Sequence, residues 1–303
     1  MKKIKEIIAL SLCATTLLVG CGSKATTKEE NKSEIAVEQK KEVTDKKVIA
    51  GTTMSAELLD LIDVDAVGVL STKKELPERF KDLPEIGSPM KPDLEKVVSL
   101  NPDLYISDGN LKGNIEELFK EKNINTLFLN NNSYEDVIKN IEDLGKYFEK
   151  EEKTKDLVSK MKKEEERILD SVKGKEAPKV LVIFGTTESF MLATKHSYAG
   201  SLVEKLGGKN VTDELSKDKP TPYVPFSLET VANLNPDIIL RLTHMEPEAS
   251  KEAFDKEFSK GLWVNLDAVK NNKVYDLDPN YFGVSANIKA VEALEKMSEI
   301  LYK

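Results

Sequence analysis

The sequence predicts an α/β protein built as two lobes joined by a single long linking helix. Three observations carry that expectation. Short apolar runs of strand type alternate with amphipathic helical patterns on both sides of a charged stretch, that stretch keeps one apolar stripe over its whole length, and a ten-residue segment occurs twice, once in each half.

Taken in order, Val48-Ile49-Ala50-Gly51 reads as the first strand, Thr52-Thr53 as a turn, and Ser55 to Ile62 as an amphipathic helix. Further strands are expected at Ala66 to Leu70, Asp103 to Ser107 and Thr126 to Asn130. Between and after them come helical patterns, including Val137, Ile141, Leu144 and Phe148 at spacings of four, three and four. Such alternation favours a largely parallel sheet, because parallel neighbours need a crossover and a helix supplies it. From Glu149 to Lys173, Leu157, Met161, Ile168 and Val172 share a helical stripe, with Gly174 and Pro178 as stop signals, so one long exposed helix is expected. A second series follows: strand Val180 to Phe184, helix Ser197 to Leu206 ending at Gly207-Gly208, strand Ile238 to Leu242, and a closing helix Ser285 to Tyr302. The expected boundaries are an N-terminal lobe at 48–148, the linking helix at 149–176 and a C-terminal lobe at 177–303.

The repeat supports this division. Leu94-Glu95-Lys96-Val97-Val98-Ser99-Leu100-Asn101-Pro102-Asp103 matches Leu228-Glu229-Thr230-Val231-Ala232-Asn233-Leu234-Asn235-Pro236-Asp237 without a gap. In each copy a short helix should end at Asn-Pro, because proline disfavours helical conformation in the residue before it. A spacing this long suits two similar lobes, not a solenoid.

The N-terminus has export grammar. Lys2, Lys3 and Lys5 precede an apolar stretch, Ile7 to Val19, too short to span a bilayer comfortably, and it runs into Leu18-Val19-Gly20-Cys21-Gly22. That ending resembles a lipobox, so residues 1–20 read as a lipoprotein signal peptide and Cys21 as the lipidated first residue of the mature chain. Cys13 would be lost, which leaves no pair for a disulfide. Residues 21–47, rich in Lys, Glu, Thr and Ser, bury too little to order themselves and read as a tether. The expected location is therefore the extracellular face of a Gram-positive cell membrane, held by lipid alone. A net charge of -8 argues against a nucleic-acid partner, since a reader of phosphate backbones carries a basic face.

With lipobox, two α/β lobes, one linking helix and paired LE-x-x-x-x-LNPD segments, the chain resembles the cluster A-III solute-binding proteins of ABC importers. Those proteins serve siderophores, cobalamin and haem, and the resemblance implies a nearly rigid pair of lobes with the ligand in a shallow cleft between them. Segments Pro84 to Glu95, Thr194 to Tyr198, Pro236 to Arg241 with His244, and Val269 to Leu277 are similar to a haem-binding member of the family. In that member a methionine of the N-terminal lobe and a histidine of the C-terminal lobe ligate the iron of haem b, and they match Met90 and His244. Thioether and imidazole in opposite axial positions close the iron to oxygen chemistry. On its own terms Met90 lies in a loop between Pro89 and Pro92, away from any apolar stripe, while His244 follows a strand whose carboxyl end is where α/β folds gather ligands.

Hydrogen-bond donors for the two haem propionates are sought at Thr52 and Thr53 after the first strand, and at Thr72, Lys73 and Lys74 after the second. The resemblance also implies that Glu95 and Glu229, equivalent in the repeat, dock onto a permease dimer, making an ABC permease and its ATPase the partners of a monomer, with cell-wall haem-relay proteins as donors. His196 is the only other histidine, so the chain lacks the nitrogen ligands of a zinc or manganese carrier. Two alternatives stay open: an iron siderophore or corrinoid as solute, for which Arg241 is the arginine placed near the cleft, and an extracytoplasmic enzyme. Against the latter, the sequence has no Gly-x-Ser-x-Gly elbow and no histidine-carboxylate motif.

Overall fold

The computed structural model describes residues 46–216, 220–243 and 246–303. Cys21 and His244 both lie outside the described residues.

The N-terminal lobe begins with strand β1 (Val48–Ala50), helix α1 (Thr53–Leu61) and strand β2 (Gly68–Val69). Two very short strands, β3 (Gly87–Ser88) and β4 (Lys91–Pro92), precede helix α2 (Leu94–Ser99), strand β5 (Leu104–Asp108), helix α3 (Lys112–Phe119), strand β6 (Thr126–Leu129) and helix α4 (Tyr134–Tyr147). The sheet order is β2-β1-β5-β6 and every pairing in it is parallel, as the alternation predicts. Helix α5 (Glu151–Val172) is the expected long helix. Its buried face runs through Thr154, Val158, Met161, Ile168 and Val172, so the stripe is rotated slightly from the expected one and Leu157 is only half-buried.

The C-terminal lobe continues with strands β7 (Lys179–Gly185) and β8 (Phe190–Ala193), helix α6 (Tyr198–Lys205), strands β9 (Lys209–Asn210) and β10 (Tyr223–Pro225), helix α7 (Leu228–Leu234) and strand β11 (Ile238–Thr243). Helices α8 (Pro247–Phe258) and α9 (Asp267–Lys270), strand β12 (Val274–Asp276) and helix α10 (Ala290–Leu301) complete it. Here the order is β10-β8-β7-β11-β12, with β9 beside the start of β7. This sheet is mixed: β8 runs antiparallel to both β7 and β10. The closing helix begins at Ala290, later than expected, because residues 277–289 cross from β12 toward the N-terminal lobe.

The repeat does the same work in both lobes. Asn101 and Asn235 end α2 and α7 in the left-handed region, at φ 47° and 38°, where asparagine is tolerated better than most residues. Two residues on, the Asp103 carboxylate accepts the Lys47 N–H at 3.0 Å while the Asp237 carboxylate accepts the Lys179 N–H at 2.7 Å. Each Asn-Pro-Asp therefore fastens the central strand of its sheet to the strand beside it. Lys47, expected in the tether, already belongs to the fold.

Helix α5 packs on α4 of one lobe and on α10 of the other. Lys205 of α6 reinforces that side, with its ammonium on Glu135 of α4 and Glu165 of α5 and above the Tyr134 ring. Arg167 joins α5 to α10 through Glu295 at 2.6 Å.

Candidate functional site

In an open parallel sheet the loops leaving the carboxyl ends of the strands form the natural binding edge. The N-terminal lobe places its predicted residues there. Thr52 follows β1 and caps α1, accepting the Ser55 N–H at 3.1 Å while its own hydroxyl donates to Ser55 Oγ. Ser55 Oγ in turn accepts the Thr52 N–H at 3.0 Å, completing a capping box that commits the Thr52 hydroxyl to the helix. Thr53, half-buried, opens α1. Beyond β2, Thr72 Oγ1 accepts the Lys74 N–H at 3.0 Å, a bond that uses a lone pair and not its hydrogen, and Lys73 and Lys74 are exposed.

Met90 reaches the same edge by a different route. Residues 84–87 run parallel to β2, with Val69 N–H on Pro84 O at 3.0 Å, Ile86 N–H on Val69 O at 2.8 Å and Ser71 N–H on Gly87 O at 2.7 Å. The chain then turns back through the β3–β4 hairpin, with Pro89 and Met90 at its tip. Gly87 makes the turn possible: its φ is +91°, and a Cβ there would stand 2.9 Å from Asp93 N. Met90 is consequently 68% exposed, whereas Met54 and Met297 are 6% and 0% exposed and fill the core.

In the C-terminal lobe β11 lies between β7 and β12, both parallel to it, so its last residue, Thr243, stands at the carboxyl edge. His244 is the next residue. Arg241, the arginine that the sequence places near the cleft, is engaged within its own lobe. Its Nε and Nη2 donate to Asp276 at 2.6 and 2.7 Å and its Nη1 to Asp255 at 2.6 Å, with the guanidinium over the Phe254 and Phe258 rings. Burial alone would lower the Arg241 pKa and raise that of Asp276, but the mutual hydrogen bonds and charges outweigh it, lifting the arginine and holding the carboxyl below its usual range. The charge of Arg241 is spent within its own lobe.

His196 follows β8, which runs antiparallel away from the carboxyl end of β7 at Gly185 and ends with Ala193 opposite Val182, midway along β7. Its N–H donates to Thr194 Oγ1 at 3.2 Å, and Ser197 caps α6. Tyr198, also weighed from the sequence, is wholly buried in the first turn of α6.

The lobes meet near this edge through residues 286–289. The Ala286 N–H donates to Asn131 O at 2.7 Å. A buried network holds that acceptor, Asn131 donating to Asp108 at 3.0 Å and accepting from Asn140 at 2.9 Å. Neither this network nor the hairpin carries a sequence signature beyond Gly87 and the Asn-rich loop. Glu95 and Glu229 occupy the second position of α2 and α7 and are exposed in both lobes. Among the described residues no cluster of three or more His, Cys, Asp or Glu could hold a bare metal ion, and no helix is long and apolar enough to cross a membrane.

Comparison with known proteins identifies this architecture, since the profile of the periplasmic binding protein family matches residues 48–281. The chain belongs to the periplasmic binding protein family. As such it is a substrate-binding transport protein and not an enzyme. Among its relatives, the high-affinity heme uptake system protein IsdE of Staphylococcus aureus is 33% identical over 303 residues, 99% of each chain. Of solved structures, an ABC transporter substrate-binding protein from Listeria monocytogenes shares 37% identity at a TM-score of 0.79, covering 85% of this chain and 99% of that one. S. aureus IsdE complexed with heme matches at 36% identity and a TM-score of 0.79, covering 86% of this chain and all of that one. The two-lobed α/β fold is thus that of periplasmic binding proteins at large.

Proposed function

We propose that this binding protein captures haem b at the carboxyl edges of its two sheets and delivers it to an ABC permease and ATPase for iron acquisition. Met90 and His244 are the axial iron ligands, and Thr53, Thr72, Lys73 and Lys74 face the propionates, Thr52 being engaged as a helix cap. Cys21 tethers the chain to the outer face of the membrane, Glu95 and Glu229 dock the permease, and haem comes from cell-wall relay proteins. The observation that carries this reading is Met90: a methionine held at the tip of a glycine-dependent hairpin and 68% exposed has no packing role. A thioether so presented is a soft ligand waiting for a partner. Kinship with a heme uptake protein supports the same solute. An anionic ferric siderophore would need free cationic groups, and Arg241 is already paired.

The test is an absorption titration with haemin in both oxidation states, using the parent protein, Met90→Ala and His244→Ala. The parent should give a stable low-spin spectrum. His244→Ala should strongly reduce retention, while Met90→Ala should keep substantial binding but admit water as a sixth ligand or lower the iron potential. Parent spectra in both variants would refute the ligand pair, and tight binding of a ferric siderophore with none of haemin would refute the solute.

A further inference from the structure

A thioether sulfur is oxidised wherever a small oxidant can reach its lone pairs, so burial decides which methionines of a protein react. Among the described residues the fold separates one methionine from the rest. Met54, Met161 and Met297 are 6%, 8% and 0% exposed within the core, and Met191 in β8 is half-buried, whereas Met90 is 68% exposed. The β3–β4 hairpin holds Met90 out by its backbone alone. Gly87 pairs with Pro92 and Ser88 with Lys91, the Lys91 N–H donates to Ser88 Oγ at 3.2 Å, and the Asp93 N–H returns to Ile86 O at 2.7 Å. None of these bonds uses the Met90 side chain, so a change at its sulfur leaves the hairpin standing.

We propose that Met90 is a redox-modification site at which a peroxide-class oxidant reversibly switches the empty protein off. The switch rests on the reading of Met90 as an iron ligand; the selectivity of the modification does not. In the step, a sulfur lone pair attacks one oxygen of hydrogen peroxide, and the S–O bond forms as the O–O bond breaks. The displaced hydroxide takes the proton of the new S–OH and leaves as water, so the sulfur is oxidised by two electrons and the peroxide is reduced by two. The resulting sulfoxide donates through oxygen, a hard donor in place of a soft one, and the iron loses its thioether. Reductases specific for the two sulfoxide epimers restore it. The same change at Met54 or Met297 would set a polar group in the core and damage the fold. At Met90 it removes the ligand and spares the fold. A sulfur already bound to iron has engaged the lone pair that the oxidant needs, so the device acts on the empty carrier and not on the loaded one.

To test it, the purified haem-free protein is exposed to hydrogen peroxide and the peroxide is removed. One portion is then digested for peptide mass mapping, and another is titrated with haemin. Met90 should gain one oxygen before Met54, Met161, Met191 and Met297 do, with the thermal transition unchanged, and the low-spin spectrum given by untreated protein should be lost in proportion. Sulfoxide reductases for both epimers should return that spectrum. Met90→Leu, which presents no sulfur at the hairpin tip, should titrate identically before and after peroxide; Met245 lies outside the described residues, and this variant separates any effect there. Oxidation of a core methionine ahead of Met90 would overturn the site. An unchanged spectrum from protein whose Met90 carries the oxygen, or a peroxide effect that persists in Met90→Leu, would overturn the switch. Untreated protein that gives no low-spin spectrum would instead sink the ligand reading and the switch with it, while the order of oxidation in the mass map still decides the modification site.

Discussion

Asp276→Ala isolates the interaction that fixes the end of β11, the strand leading into His244. The Arg241 side chain is 8% exposed, against 36% for Asp276 and 60% for Asp255. The substitution deletes two charge-assisted bonds of 2.6 and 2.7 Å and leaves the guanidinium with Asp255 alone. Breaking a fully buried pair costs about 3–5 kcal/mol, since it strands a charge out of water. Here Asp255 remains and Asp276 is partly solvated, so about 2–3 kcal/mol is expected. For a domain of this size that lowers Tm by about 4–12 °C. The double variant Arg241→Met with Asp276→Leu should recover to within about 1 kcal/mol of the parent, because apolar groups replace a buried pair at little cost. Acid provides an internal control. The Asp276 carboxyl is held below its ordinary value of 3.8, so its contribution is present above that value and disappears as pH falls through the lowered one. The gap between parent and Asp276→Ala in urea melts should therefore close in strong acid. A single variant within about 0.5 kcal/mol of the parent at neutral pH, the range of ordinary surface changes, would show that the pair is solvated and does not brace the strand.

Other consequences are simpler to read. Met90→Ala should leave thermal stability within about 0.5 kcal/mol of the parent, because the side chain is 68% exposed, so any loss of haemin binding in that variant is loss of a ligand. Gly200→Ala should cost more than about 3 kcal/mol in chemical denaturation or prevent soluble expression, overpacking with no room to relax, since its Cβ would stand 2.0 Å from the Thr194 carbonyl oxygen. Charge reversal at Glu95 and Glu229 should slow cellular haem uptake and leave haemin titration of the purified protein unchanged; uptake at the parent rate would make them ordinary surface residues. Cys21→Ala should shift the protein from the membrane to the soluble fraction without changing haemin affinity, and unchanged membrane retention would refute lipidation.

The fold was legible where one physical rule acts locally. Apolar runs between amphipathic helices implied parallel strands, the apolar stripe through a charged stretch implied α5, and Asn-Pro-Asp implied two helix-to-strand joints, each now seen to end in the left-handed region and to fasten neighbouring strands. Less legible were features set by pairing between distant segments. The β3–β4 hairpin has only two residues in each strand, too few for a period to register, and only Gly87 hints at it. Helix α8, entered through Glu246 in the left-handed region, was not expected at all. The pairing of Arg241 was not legible because its partners, Asp255 and Asp276, come from different elements 14 and 35 residues away.

Strand direction decides which candidates can share one site. The carboxyl-edge rule applies to a residue only when its strand runs with the sheet, as β1, β2 and β11 do, and it brings Thr53, Thr72, Met90 and, at the end of β11, Thr243 to the carboxyl edges. The same rule fails at His196, where nothing in Phe190–Ala193 distinguishes a parallel from an antiparallel strand. The β7–β8 connection does distinguish them. Only four residues separate Gly185 from Phe190, far too few for the crossover that a parallel return requires, so β8 must reverse and run away from the carboxyl end of β7 before the chain reaches His196. A parallel strand and an antiparallel one therefore deliver the residues that follow them to different levels of the sheet, Thr243 to the carboxyl edge of β11 and Ala193 to a position opposite Val182, midway along β7.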